Sequence, residues 1–179
     1  VLNTYIIVEQ GDKVLFIDKH AAHERMNFDR MKAEGYDPMS QTLLAPAVCR
    51  LSPEEHAALT ARLPLLEEFG FAAEDFGGGA LIVRRAPFDV DPGDIEATLT
   101  EIARKLLSTG SADPAAARDE LLHTMACKAA IKGGWRTSPQ ELERMARAVM
   151  SGQVRYCPHG RPVAIELTRG QLEKQFKRA

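Results

Sequence analysis

The sequence of 179 residues has few of the features that would place it outside a reducing compartment or inside a membrane. It has three cysteines, Cys49, Cys127 and Cys157. They are too few for the disulfide framework of a secreted protein, and an odd number cannot all be paired. No apolar run reaches the roughly 18 residues of a membrane span, and the first residues show no signal-peptide pattern. Internal repeats and low-complexity segments are also absent. We therefore expect a cytoplasmic globular protein whose cysteines are buried or bind metal.

Charge is distributed unevenly along the chain. Residues 41–120 carry seven Lys and Arg against fourteen Asp and Glu, whereas residues 121–179 carry eleven against four. A basic final third is typical of a nucleic-acid footprint or, equally, of a solvated helical face. The net charge of −2 argues against tight DNA binding by this chain alone, because phosphate contacts dominate that affinity. The first residue is Val1, not an initiating Met, which predicts a piece of a longer protein.

Hydrophobic patterning and capping signals predict an α+β fold. We expect strands at 4–8, 14–17, 43–51, 71–76, 80–85 and 163–167, and helices at 19–34, 53–70 (broken near Pro64), 94–107, 113–132, 138–150 and 168–177. Residues 1–40 and 118–179 are expected to form one sheet-and-helix unit, into which 41–117 is inserted as an α/β external subdomain. The three glycines at 77–79 join a hairpin; they are not a phosphate loop, because no GK[ST] or GxGxxG follows, so no ATP site is expected.

The first candidate site lies where a buried strand passes into a helix. Asp18 follows the apolar run 14–17, and His20 and Glu24 are four residues apart, which places them on one helix face. Carboxylate and imidazole groups gathered in this way suit a Zn²⁺- or Mn²⁺-class ion. Two simpler interpretations stay open. Asp18 could be a helix N-cap, and His20 with Glu24 could be an exposed pair worth roughly 0.2–0.5 kcal/mol.

The second candidate site is the run Cys157-Pro158-His159 near the C-terminus. Proline disfavours helix in the residue before it, so we expect an extended chain in which Cys157 and His159 point to the same side and hold one ion. The alternative is a rigid turn with a buried cysteine. Cys127 lies within a predicted helix among small neighbours, and a single helical cysteine is more often a core residue than a ligand.

Together these stretches supply more ligands than one tetrahedral zinc ion requires. The six candidates are Asp18, His20, Glu24, Cys127, Cys157 and His159. Their mixed carboxylate, imidazole and thiolate chemistry fits two ions that share Glu24. Two ions roughly 3.5–4 Å apart suit phosphodiester hydrolysis, because one activates water and the other stabilises the leaving oxygen.

Three separated motifs resemble the C-terminal domain of the MutL mismatch-repair family in its endonuclease-bearing form. The first, DQHA-x2-E-x4-E, is matched at four positions: Asp18, His20, Ala21 and Glu24. Lys19 stands where Gln is usual, and Asp29 stands where the last Glu is usual. The second motif is matched by Ala-Cys-Lys at 126–128, and the third, Cys-Pro-His-Gly-Arg-Pro, is identical at 157–162. The motifs occur in the family's order and cover essentially the whole chain.

The resemblance implies a metal-dependent nicking endonuclease that acts on duplex DNA. Asp18 would be the essential catalytic carboxylate, with Glu24 catalytic and metal-binding. Zinc, regulatory or structural, would bind at Glu24, Cys127, Cys157 and His159 with His20 close by, and Mn²⁺ or Mg²⁺ would support nicking. Asp29 and Arg161 would support these ligands without binding the ion themselves.

The resemblance also implies partners: a second copy of the chain through the subdomain built from both chain ends, the sliding clamp of DNA polymerase, MutS, and an N-terminal ATPase domain of the same protein. The setting would be the bacterial cytoplasm, near the nucleoid. Gln41, Leu44 and Pro46 match the Q-x-x-L-x-P peptide by which the family contacts the clamp, although an ordinary edge strand could have the same residue pattern.

Two other functions stay open. One is a dimerisation and docking module with purely structural zinc. The other, an unrelated zinc hydrolase of small molecules, is disfavoured because no substrate-pocket motif is evident.

Overall fold

The computed structural model describes residues 1–109, 113–132 and 137–178. The chain divides into two compact units, Val1–Asp29 with Gly133–Ala179 and Arg30–Lys132. Each unit combines helices with an antiparallel sheet, which confirms the α+β class. The predicted roles, dimerisation for 1–40 and 118–179 and regulation for an insertion at 41–117, stay predictions. Among the described helices, none has the length and apolar character needed to cross a membrane.

The first unit is built on a sheet whose strands come from both ends of the chain. Its strands are β1 (Tyr5–Gln10), β2 (Lys13–Asp18) and β6 (Ala164–Thr168), in the order β1-β2-β6. Its helices are α1 (Lys19–Glu34, which continues into the second unit), α6 (Pro139–Met150) and α7 (Arg169–Gln175). The β1–β2 hairpin turns at Gly11, whose φ of +63° suits a residue without Cβ. The central strand is therefore β2, which leads directly into α1.

The core of the first unit lies on one face of this sheet. Strand alternation turns Leu15 and Ile17 of β2 inward, where they pack with small residues of α1 and apolar residues of α6. The remaining buried members are Ala21, Ala22, Met145, Val149, Val154, Cys157 and Val163. Ser138 opens α6 with the predicted capping box, because its hydroxyl accepts from Glu141 N while the Glu141 carboxylate accepts from Ser138 N. Cys157 thus belongs to the core, together with Val154 before its loop and Val163 after it.

The second unit contains the sheet β3-β5-β4 and four of the described helices. The strands are β3 (Ser40–Arg50), β4 (Ala72–Gly77) and β5 (Ala80–Pro87), and the helices are α2 (Pro53–Thr60), α3 (Leu63–Glu68), α4 (Ile95–Ser108) and α5 (Pro114–Lys132). Helix α2 stops before Pro64 and α3 begins beside it, as the sequence predicts. Strand β3 is at the sheet edge and shifts register between Thr42 and Ala47, around Pro46. The sequence also predicts that Gly133-Gly134 ends the helix that starts at 113, and these two residues lie outside the described ranges.

Candidate metal centre

Pairing between β2 and β6 brings the two predicted site regions together. Ile17 lies opposite Ala164, and one step further the backbone N–H of Asp18 donates to the carbonyl of Val163 at 2.8 Å. Asp18 is the last residue of β2, and Val163 follows the Cys-Pro-His-Gly-Arg-Pro run directly. The start of α1 and the C-terminal loop therefore adjoin, although they are far apart in sequence.

Asp18 caps helix α1. Its Oδ1 accepts a hydrogen bond from the backbone N–H of Ala21 at 3.0 Å, which satisfies one of the amide groups left without a partner in the first turn. The N-cap interpretation is thus observed. It does not compete with a role at the site, since capping uses one carboxylate oxygen.

The loop that carries Cys157 and His159 is a tight turn and not the extended segment expected from its prolines. Gly160 N donates to the Cys157 carbonyl at 2.9 Å, and Cys157 N donates to the Arg161 carbonyl at 2.8 Å. Pro158 occupies the second position of this turn, where its fixed φ is favourable, and Gly160 has a φ of +79°. The expectation of an extended chain was wrong, and the alternative of a rigid turn with a buried cysteine is observed, because Pro and Gly at the second and fourth positions favour a turn.

Three side chains of the first unit converge within ligating distance. One carboxylate oxygen of Glu24, the sulfur of Cys157 and a ring nitrogen of His159 all lie within 4.8 Å of one another. His159 Nδ1 is 3.2 Å from Glu24 Oε1. Donor atoms around a tetrahedral zinc ion are about 3.3–3.8 Å apart, given bonds of about 2.0–2.3 Å. The three groups are thus close to the spacing that a shared ion requires.

Glu24 supplies an independent test of whether an ion fits. The residue is 1 % exposed, and none of the described residues makes a hydrogen bond to either of its carboxylate oxygens; the His159 contact meets the ion-pair distance but not hydrogen-bond geometry. A buried carboxylate without partners is costly unless a charge compensates it. Oxygen, nitrogen and sulfur donors together suit zinc. The residues present therefore fit a divalent ion.

Arg161 adjoins this group through its backbone, since its carbonyl accepts from Cys157 N at 2.8 Å. Interaction with Cys157 first, and then with Glu24 and Asp18, holds the pKa of Arg161 above its ordinary value. The predicted supporting role of Arg161 stays a prediction.

Three further predicted site residues are described by their own surroundings. His20 is on the exposed side of α1, outside the three converging residues, and Cys127 is half-buried on α5 in the second unit. Asp29 forms an i,i+4 ion pair with Arg25, at 2.9 Å between Nε and Oδ1. The metal-binding roles of His20 and Cys127 and the supporting role of Asp29 are not tested by these positions and stay predictions.

The predicted clamp-binding residues occupy the irregular edge strand of the second unit. Gln41 Nε2 donates to the Val90 carbonyl at 3.2 Å, whereas Leu44 and Pro46 are exposed within the register shift of β3. An exposed apolar side chain on a sheet edge is available to a partner.

The outer face of the first sheet was missed by sequence reasoning. Ile7, Phe16 and Ile165 lie opposite one another across all three strands on the face away from the core, and Tyr5 extends the patch along β1. Ile7 and Tyr5 are each 44 % exposed and Ile165 is 63 % exposed. A strand with one solvated face alternates apolar and polar residues, whereas residues 5–8 form an unbroken apolar run. That run was the signal that both faces of β1 are apolar.

Comparison with known proteins agrees with this architecture. The family model described as the MutL C terminal dimerisation domain matches residues 1–137. DNA mismatch repair protein MutL from Acidiphilium cryptum is 38 % identical over 185 residues, and MutL from Caulobacter vibrioides is 37 % identical over 185 residues. MutL from Caldanaerobacter subterraneus subsp. tengcongensis is 33 % identical over 179 residues. These alignments cover 100 %, 99 % and 99 % of this chain but 32 %, 29 % and 30 % of the relatives.

The fold and the family model thus define an α+β dimerisation domain of a DNA mismatch-repair protein. The chain belongs to the MutL family, of which it represents the C-terminal dimerisation domain. It spans about a third of the length of the MutL relatives it matches.

Replacement of Glu24 by Gln tests the metal centre without an activity assay. In the presence of a chelator, we expect E24Q to be at least as stable as the parent, because the substitution removes a buried charge that lacks hydrogen bonds. With zinc at 100 times its Kd, the parent should gain about 2.7 kcal/mol in the free energy of unfolding, and E24Q should gain little. Urea denaturation with and without zinc measures both quantities.

The matched control is Glu34→Gln, at the exposed end of the same helix, which should keep the full zinc response. Equal stabilisation of E24Q and the parent by zinc would show that Glu24 is not a ligand.

Proposed function

We propose that this domain is a metal-dependent endonuclease that nicks duplex DNA in mismatch repair. The observation that carries the proposal is the buried Glu24 carboxylate, without hydrogen bonds from the described residues, beside Cys157 and His159. A dimerisation function alone does not explain why a charged group is buried there. The DNA-bound setting follows from family membership, as do the further proposed partners, namely MutS and the N-terminal ATPase domain of the whole protein.

Glu24, Cys157 and His159 would hold zinc, with Cys127 and His20 as further proposed ligands, and Asp18 with Glu24 would serve Mn²⁺ or Mg²⁺ during nicking. Bound divalent ions supply Lewis acidity to a phosphodiester and lower the pKa of a coordinated water. The protein's own contribution is to hold the donor atoms in place. The Cys157–Gly160 turn fixes one side, and the first turns of α1 fix the other.

Asp18 is the best-placed catalytic carboxylate. The strand end and the hydrogen bond to Ala21 N fix its position, and Arg161 offsets part of its charge. An ionised carboxylate held in this way can accept a proton from water or bind an ion, both of which phosphodiester hydrolysis needs.

Homodimerisation is the role named by the family model, and we propose that the outer face of the first sheet forms the contact. Ile7, Phe16 and Ile165 present an apolar row across the sheet. Such a face is unfavourable in water and is removed from it when two copies pack face to face. A two-fold contact uses the same patch on both copies, so each side chain contributes twice.

The irregular edge of β3 is our proposed contact for the sliding clamp. Leu44 is fully exposed within the register shift, where the backbone is not paired to β5. An exposed leucine followed by Pro46 can enter a hydrophobic groove on a partner, which provides apolar burial at little cost to the sheet.

Asp18→Asn tests the nuclease directly. We expect nicking of supercoiled plasmid with Mn²⁺ to fall by at least about 100-fold, since the amide neither accepts a proton nor offers a charged ligand. Asparagine caps helices as well as aspartate does, so the melting temperature should be unchanged. Asp12→Asn, in the exposed turn at the other end of β2, should nick like the parent. Undiminished nicking by D18N would refute the assignment.

A second candidate, a docking module with purely structural zinc, is favoured by the position of Cys157 within the hydrophobic core. In that case His159→Ala would lose zinc and lower the melting temperature, and the parent would show no nicking with Mn²⁺, Mg²⁺ or zinc. This candidate is excluded if the parent nicks DNA and D18N does not, while D18N keeps the zinc content of the parent.

Ile165→Lys tests the dimer contact. A lysine on each side of a two-fold interface buries two unpaired charges, so we expect dimerisation to weaken by at least about 100-fold. Sedimentation equilibrium over micromolar concentrations measures the change. Val48→Lys, at a similarly exposed position (47 %) on the sheet of the second unit, is the control and should leave the dimer intact. An unchanged dimer in I165K would place the contact on another surface.

Leu44→Ser tests the clamp contact. We expect the affinity for the clamp, measured by surface plasmon resonance, to fall about 10-fold or more, because a buried leucine contributes about 1.5–3 kcal/mol. Thr42→Ser, also exposed on β3, should bind like the parent. Equal clamp affinity of L44S and the parent would contradict the proposal.

A further inference from the structure

Arg155 lies beside the candidate metal centre, two residues before its cysteine. Tyr156 is opposite Pro162 in an antiparallel bridge, and the carbonyl of Arg155 accepts from Val163 N at 3.0 Å. The carbonyl of Val163 in turn accepts from Asp18 N at 2.8 Å. Arg155, Val163 and Asp18 therefore form one row across adjoining segments of the chain. Because neighbouring strands are about 4.8 Å apart, the backbone of Arg155 is about 10 Å from that of Asp18.

The guanidinium of Arg155 has a defined position. Its Nε donates to the carbonyl of Gly152 at 3.2 Å. Gly152 follows the end of α6 with a φ of +77°, and a Cβ there would lie 3.0 Å from Nη2 and 3.3 Å from Nε of Arg155. The guanidinium thus packs directly on the glycine, which leaves room for it because it has no side chain. One edge of the guanidinium is held in this way, while its other N–H groups remain available to a ligand.

The charge of Arg155 is not compensated within the part of the chain that the structure describes. Arg147, on α6, is paired with Glu143 at 2.6 Å. Arg155 forms no such ion pair with a described residue, and the carbonyl of Gly152 is the one hydrogen-bond acceptor it contacts there. Its side chain is exposed. An arginine that is held in place with free donors suits an anion with several oxygens, because its planar donors match a phosphate group.

We propose that Arg155 binds a backbone phosphate of duplex DNA and thereby holds the strand beside Asp18. Successive phosphates of one DNA strand are about 3.4 Å apart along the helix axis. A cation on a residue about 10 Å from Asp18 would therefore contact a phosphate a few nucleotides from the one that is cleaved. This inference rests on the proposed nuclease and extends it from the metal centre to the binding of the substrate.

The first test measures duplex DNA binding by fluorescence anisotropy in D18N with Mn²⁺, a variant chosen because it should leave the duplex intact. Adding Arg155→Gln should weaken binding about five- to ten-fold near 0.1 M salt and flatten the plot of log Kd against log salt by about 0.9, the effect of one lost phosphate contact. Arg155→Lys keeps the charge and should keep the salt slope. Arg169→Gln removes an equal charge just after the other end of β6 and should bind like D18N alone.

The second test separates DNA binding from folding. In the chain with Asp18 intact, R155Q should raise the KM for nicking of plasmid about as much as it weakens DNA binding, with little change in kcat. The reason is that a contact made equally before and during cleavage affects KM alone. The melting temperature and the zinc content of R155Q should stay close to those of the parent.

Equal DNA affinity and salt dependence of the R155Q and R169Q variants would overturn the inference. A lower melting temperature of R155Q without loss of DNA affinity would also overturn it, since that result is expected of a cation that only stabilises the C-terminal end of α6. Failure of the proposed nuclease gives a different result: the parent would not nick plasmid with Mn²⁺, or D18N would nick like the parent. Failure of this inference leaves nicking by the parent, and its loss in D18N, intact.

Discussion

The antiparallel pairing of β2 with β6 is the contact on which the candidate site depends. Strand β2 leads directly into α1, and the Cys157–Gly160 turn leads into β6, so a single register positions both halves. That register is set by burial, since Ile17 must face the core. A slip of the register by one residue would make Ile17 face outward and would shift the Cys157–Gly160 turn relative to α1. The stability of the sheet and the geometry of the site thus have the same origin.

Glu24 shows the cost of building such a site into a core. Its carboxylate is surrounded by side chains that exclude water, and none of the described residues makes a hydrogen bond to it, although His159 Nδ1 lies 3.2 Å from Oε1. A buried carboxylate without hydrogen bonds is unfavourable for folding unless a cation compensates its charge. The metal-free first unit is therefore expected to be less stable than its apolar core alone would make it. In the proposed metal centre, metal binding and folding would be linked through Glu24, Cys157 and His159.

Local signals predicted much of the fold, whereas the site required information that no local signal contains. The capping box at Ser138 and the break before Pro64 depend on neighbouring residues alone, and both are observed. Proximity of Glu24 to His159 depends on the register between β2 and β6, which come from opposite ends of the chain. The sequence indicated this proximity only through the matching ligand chemistry of the two stretches and through the family resemblance. The turn at Cys157 was open to prediction, because Pro and Gly at its second and fourth positions are turn residues. The sequence left this turn open as the alternative to an extended chain.

The two exposed ends of the cluster favour a working site over a structural one. A structural zinc ion is closed on all sides by four protein ligands, whereas a catalytic one keeps a position open. Of the three converging ligands, Glu24 and Cys157 are buried, but His159 is exposed on its turn. Arg161 is also exposed in this loop. In the proposed nuclease, a phosphodiester would approach the cluster at the exposed His159. The buried ligands would then fix the ion, and the exposed imidazole would face the substrate.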